Sequence, residues 1–185
     1  MKYGTGAILA LAMLLAPAVP ALSEGGGDYP APASGDWVIT QDTWVANETI
    51  HLDGNLTVVG ANLTLDNVTI IGNLAGVLQT VTVMEGASIS ARNCTFDTGI
   101  AANLSFELRG STDIRNCRFT KAGGSIWARL ASVSSVLSGC DLEGTLAIAD
   151  NLSPTLDGTI VRDSEVGVYF GAGVRLANLT VDHCV

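Results

Sequence analysis

The chain has 185 residues and a net charge of −9, with 9 Lys and Arg against 18 Asp and Glu. That balance excludes the basic surface nucleic acid needs and disfavours docking on anionic lipid. The length suits one domain with a continuous core once a leader is set aside.

Residues 1–23 read as a secretory signal peptide. Lys2 gives a positive start, Ala7 to Leu15 forms an apolar core, and Pro17 and Pro20 break it. Ala21-Leu22-Ser23 supplies small residues for cleavage before Glu24. The apolar core is too short to span a bilayer comfortably, so no membrane span is expected after signal removal; a retained anchor is the alternative. Cleavage would leave 8 Lys and Arg against 18 Asp and Glu, a net charge of −10. Residues 24–36 are rich in Gly, Pro, Ala and Ser and read as a flexible linker. Residues 37–52 read as the first strand and an N-terminal cap, with Trp37, Ile39, Trp44 and Ile50 as apolar cover.

From Leu65 onward one short pattern returns: apolar, polar, turn residue, then two apolar residues around a polar one. The copies are Leu65-Asp66-Asn67-Val68-Thr69-Ile70, Ala91-Arg92-Asn93-Cys94-Thr95-Phe96, Ile114-Arg115-Asn116-Cys117-Arg118-Phe119, Leu137-Ser138-Gly139-Cys140-Asp141-Leu142 and Val161-Arg162-Asp163-Ser164-Glu165-Val166. A sixth starts at Val181-Asp182-His183-Cys184 and is cut off, which suggests a piece of a longer protein. The fourth residues step by 26, 23, 23, 24 and 20, a spacing that signals a repeat architecture.

Side chains alternate faces along a strand. Ile114, Cys117 and Phe119 therefore point inward, Arg115 and Arg118 outward, and Asn116 bends the chain. The bend column reads Asn67, Asn93, Asn116, Gly139, Asp163, His183, all residue types that accept positive φ. A further strand precedes each motif, for example Phe106-Glu107-Leu108 and Leu146-Ala147-Ile148. A coil of about 23 residues holds about three short strands plus turns. Such copies stack in parallel, and the crossover rule favours a right-handed coil. An antiparallel sandwich, the competing all-β fold, requires no fixed period.

The Asn-Cys-x-Phe copies resemble the right-handed parallel β-helix repeat proteins of pectate-lyase-like fold, over about residues 50 to 185. The resemblance implies an all-β, right-handed parallel β-helix solenoid over 37–185, with about 23 residues and three short strands per coil. It also implies that polysaccharide lyases and hydrolases are among the similar proteins.

Cys94, Cys117 and Cys140 share one inward column, and Cys184 returns to it after Ser164. Stacked neighbours would lie ~4.8 Å apart with parallel Cα–Cβ vectors, which suits free buried thiols better than disulfides. With no Cys-x-x-Cys, no metal site is expected, and no cofactor. The ladder is thus Asn67, Asn93 and Asn116 with Cys94, Cys117, Cys140 and Cys184.

Eight of the ten Asn begin an Asn-x-Ser/Thr triplet, which in an exported protein suggests N-glycosylation. Asn67 and Asn93 occupy the bend column and Pro154 follows the Asn151 triplet. The expected glycan sites are Asn47, Asn55, Asn62, Asn103 and Asn178.

Catalysis would need clustered carboxylates on an outer face. Asp141 and Glu165 would be adjacent in the outward column, flanked by Arg118 and Arg162; two carboxylates ~5 Å apart is the retaining-glycosidase spacing. The competing reading is a solvated ladder of alternating charges. Trp44, Trp127 and Tyr169 could stack on sugars or serve as packing. The expectation is an exported, N-glycosylated, non-catalytic module. Its role is structural, adhesive or glycan-binding at the cell surface, and its partners are polysaccharide or envelope components. The alternative is a fragment of a lyase or hydrolase acting on acidic polysaccharide, with Asp141 and Glu165 as carboxylates and Arg118 as clamp.

Overall fold

The computed structural model describes residues 31–100, 102–176 and 178–184, so the expected signal peptide and most of the linker lie outside the described residues. Strands come in threes. The first coil is β1 (Trp37–Ile39), β2 (Thr43–Ala46) and β3 (Thr49–Leu52), and the second β4 (Leu56–Val58), β5 (Asn62–Asp66) and β6 (Thr69–Gly72). The third is β7 (Leu78–Val83), β8 (Ser88–Arg92) and β9 (Thr95–Asp97). The fourth is β10 (Asn103–Leu108), β11 (Ser111–Arg115) and β12 (Arg118–Thr120), and the fifth β13 (Ile126–Leu130), β14 (Ser135–Ser138) and β15 (Asp141–Glu143). β16 (Thr145–Ile148) and β17 (Thr159–Arg162) belong to the sixth, β18 (Val168–Phe170) and β19 (Leu179–Asp182) to the seventh. Residues 37–52, expected to hold a cap, are the three strands of the first coil.

Each strand pairs in parallel with its counterpart one coil away, giving a solenoid of about six turns with three sheets. The first sheet runs β1-β4-β7-β10-β13-β16-β18, the second β14-β11-β8-β5-β2 and the third β19-β17-β15-β12-β9-β6-β3. In the first sheet Trp37 pairs Leu56, then Val81, Phe106, Ala128, Leu146 and Val168 follow in register, steps of 18 to 25 residues. The period varies because corners change length while the strands keep their column.

Alternation fills the interior. Leu104, Phe106 and Leu108 are buried along β10, and Ile89 and Ala91 along β8. Phe96 and Phe119 stack at 4.9 Å, and Phe106 meets both rings edge-on at 5.2 Å. Burying side chains of this size contributes about 1.5–3 kcal/mol each, and the ring geometry adds to that.

The second-to-third-sheet corner is the bend of the repeat. Asn67, Asn93, Asn116 and Gly139 have φ of 54°, 53°, 52° and 61°. Asn47, at φ 57°, begins the same column, and Asn67 Nδ2 donates to Asn47 Oδ1 at 2.9 Å. The third sheet departs from the expected register at one strand. Asp141 pairs Ile160, Leu142 pairs Val161 and Glu143 pairs Arg162, all in the third sheet. The fifth true copy is therefore Leu156-Asp157-Gly158-Thr159-Ile160-Val161, and Gly158, then Asn178, continue the bend with φ of 64° and 56°. Gly139 N donates to Asp157 O, and Ile160 N to Cys140 O, as the column requires. Asp163 and His183 also have positive φ, 54° and 46°, but at the next corner, where the third sheet turns toward the first. The expected placement failed because both corners call for the same residue types. The sixth coil's second-sheet strand also shrinks to the single bridge Val136–Thr155.

Candidate functional site

The outer face of the third sheet carries the charged residues singled out from the sequence. Arg118 stacks beside Asp141, and Glu143 beside Arg162. Arg162 clamps Asp141 with two hydrogen bonds, Nε to Oδ1 at 2.7 Å and Nη2 to Oδ2 at 2.8 Å. Its Nη2 also reaches Glu143 Oε1 at 2.8 Å, and Nη1 reaches Asp163 Oδ2 at 3.1 Å. Arg118 adds ion pairs of 3.8 Å to Asp141 and 3.3 Å to Glu143. The backbone N–H of Lys121 donates to Glu143 Oε2, and its Nζ donates to Asp163 O.

The Arg162 hydrogen bonds hold the Asp141 carboxyl below the usual carboxylate range, and the same bonds push the Arg162 guanidinium up. A catalytic acid needs the opposite displacement, a carboxyl raised by burial or by a like charge. Glu165 does not join the cluster. It is exposed, five residues past Ile160, the strand partner of Asp141, and beyond the bend at Asp163. The ladder neighbour expected for Asp141 is thus replaced by Ile160, and the second carboxylate of the group is Glu143. The cluster is an ion-pair network whose donors and acceptors satisfy one another.

Cys94, Cys117 and Cys140 stack in the buried inward column with free thiols, and Cys94 N donates to Cys117 Sγ at 3.4 Å. Val68 precedes them and Thr159, also buried, follows. The Thr159 hydroxyl donates to Leu137 O at 2.8 Å. Cys184 lies outside this column, at the level of Ser164 and Thr145, whose hydroxyls meet at 2.8 Å. A hydrogen bond with Cys94 and burial push the Cys117 thiol up, and burial pushes Cys140 up, so both are protonated and inert at neutral pH. Among the described residues no group of three or more His, Cys, Asp or Glu is placed to hold a metal.

The asparagines expected to carry glycans do not share one setting. Asn47 and Asn178 are bend residues like Asn67 and Asn93. Asn55 Nδ2 donates to Asp36 at 3.1 Å and Asn62 Nδ2 to Asp42 at 2.9 Å; Asn178 Nδ2 likewise donates to Asp157 at 3.0 Å. Asn103 uses Oδ1 to accept from the Ser125 backbone and hydroxyl.

The outer face of the first sheet is different in kind. Trp127 is 41% exposed and Tyr169 62%. Trp127 pairs Thr145 and Tyr169 pairs Ala147, and those two outward residues of β16 are themselves buried. The two rings therefore share one outer face, with the covered strand β16 between them. Beside Trp127 on the same strand, Arg129 pairs Glu107 at 3.2 Å. Trp44, exposed at 53%, stands alone on the second sheet, remote from these rings. The strand expected before each motif puts Trp127 and Tyr169 in one column and Trp44 apart from it, at the N-terminal end, and the shared sheet bears this out.

Comparison with family models, with curated proteins and with solved structures returned no match. The geometry therefore carries the functional argument by itself.

Proposed function

We propose that the chain is an exported, N-glycosylated β-solenoid module of the cell surface. Its role is structural and adhesive, and it engages polysaccharide or envelope glycans through the outer face of the first sheet. The observation that carries this reading is the pair of exposed rings, Trp127 and Tyr169, on one outer face of the first sheet. Sugar rings have an apolar face that stacks on aromatic rings and hydroxyls that suit a neighbouring Arg–Glu pair. Export rests on residues 1–23, and glycosylation on the excess of Asn-x-Ser/Thr triplets. The non-catalytic reading rests on the clamped, low-pKa Asp141.

The test is pull-down of purified protein on insoluble cell-envelope polysaccharide. Retention that Trp127→Ala and Tyr169→Ala abolish, with no release of reducing ends, is the expected outcome. Depolymerisation of an acidic polysaccharide that Asp141→Ala abolishes would overturn the non-catalytic reading. Glycopeptide mapping of protein from its own host reads occupancy at Asn47, Asn55, Asn62, Asn103 and Asn178.

A further inference from the structure

The corner between the first and second sheets changes length from coil to coil. Four residues, 84–87, join β7 to β8; two, 109 and 110, join β10 to β11; four, 131–134, join β13 to β14. The short corner lies between two longer ones, which leaves a notch one coil wide. The flanking corners belong to strands about 10 Å apart, twice the strand spacing. The notch is a shallow, open concavity of about 620 Å³, a volume in the range of small-ligand sites. Gly110 keeps its floor low: a Cβ there would collide with the carbonyl oxygens of Ala87 and Met84, so the two-residue corner lies tight against the coil before it.

The lining mixes polar and apolar surface and is charge-balanced. Arg109 forms the floor and is half exposed, with only a 3.9 Å contact to Glu107, which sits closer to Arg129 at 3.2 Å. Most Arg109 donors are therefore open to a ligand. Glu85 faces the same space from one wall. Ser88 donates to Asn62 Oδ1 at 2.6 Å and so keeps its oxygen as an acceptor. Ser132 Oγ accepts from the Ser134 backbone at 3.2 Å and keeps its proton to donate. The Arg109 and Glu85 charges offset each other, as do those of Arg129 and Glu107 behind them. Neither an anion nor a cation gains from such a site, and the chain's net charge of −9 repels a polyanion. Donors and acceptors without net charge, interleaved with apolar surface, match a sugar, whose hydroxyls flank apolar C–H faces.

We infer that this notch binds an uncharged oligosaccharide segment laid across the corner. The inference rests on the glycan-binding reading and names its ligand class. A segment seated there continues along β10 past Glu107 and reaches Arg129 and Trp127 on the neighbouring strand. A glycan on Asn62 would not fill the notch, because Asn62 turns Oδ1 toward Ser88 and Nδ2 toward Asp42.

The experiment is amide-shift NMR on the full chain from a host without N-glycosylation. The probes are cellohexaose, mannohexaose and xylohexaose, with hexagalacturonate as the acidic counterpart. At least one neutral hexasaccharide should bind with a Kd below about 1 mM and shift the Gly110, Ser111 and Ser134 amides. Arg109→Ala, and the notch-filling Ser111→Trp and Ser134→Trp, should each weaken it about tenfold or more at unchanged melting temperature. Hexagalacturonate should bind at least about tenfold more weakly. Absence of notch shifts with all three neutral probes at about 10 mM overturns the inference, as does tighter binding of hexagalacturonate. Neutral binding lost in Trp127→Ala but indifferent to the three notch variants also overturns it, while leaving the first-sheet reading intact.

Discussion

Cys117 lies between Cys94 and Cys140 in the core, and the next side chain, Arg118, faces solvent. A charge in the first position has no partner and no water, so Cys117→Asp should cost several kcal/mol and lower the melting temperature sharply, by about 10 °C or more. Arg118→Ala removes two half-exposed ion pairs and should cost under about 1 kcal/mol. An unchanged melting curve for Cys117→Asp would refute the inward assignment. Asp141 supplies a pH signature. Its carboxyl is lower in the fold than the roughly 3.9 of an unfolded Asp. The unfolded chain then binds more protons as the medium acidifies. The stabilisation from Asp141 is complete above about pH 5 and fades as pH falls through its folded pKa. Thermal melts from pH 7 to 3 should fall less steeply below about pH 4 for Asp141→Asn than for the native chain.

The bend column decides how much of each element can be read ahead of the fold. Val68, Cys94, Cys117 and Cys140 follow asparagines or glycine at positive φ, and the alternation around them matches burial residue by residue. Arg118 beside Asp141 was legible for the same reason. What was not legible is where a copy with Thr in place of Cys takes over. Leu156-Asp157-Gly158-Thr159 carries the column, yet Val161-Arg162-Asp163-Ser164 imitates it, because every corner that turns through positive φ selects from one short list of residues. Cys184 and Glu165 were misplaced by that imitation, and the Arg162 clamp on Asp141 and Glu143 was hidden by it. The corrected register has a direct test. Thr159→Asp should destabilise as strongly as Cys117→Asp, and Ser164→Asp, half exposed and next to a corner, should cost about 1 kcal/mol or less by urea melts. The reverse order would restore the earlier register. At the bend itself, Asn116→Gly should be nearly neutral, while Asn116→Val, β-branched at φ 52°, should lose about 1–2 kcal/mol.

Across the whole molecule, neighbouring coils supply one another's hydrogen bonds, so stability is approximately a sum of coil and interface terms. The three sheets then differ by what their outer faces are given to do. The third sheet spends its charges on itself through Arg162. The second keeps a polar surface broken by Trp44. The first exposes rings and a notch at its edge; the recurring strand before each motif made the shared sheet of residues 127 and 169 legible in the sequence, while the notch, set by corner length, was not.

The corners also differ in the room they leave for growth. At Gly76 and Gly86 an added Cβ would meet nothing within 4 Å. At Gly124 it would strike the Ala102 carbonyl, and at Gly144, the lone residue joining β15 to β16, the Ile126 carbonyl. Chains descended from this scaffold would therefore admit insertions around the first pair of corners, where positive φ alone favours glycine, and hold both length and glycine at the second. A set of such descendants, once aligned, would show the solenoid's register through its gaps as plainly as through its core.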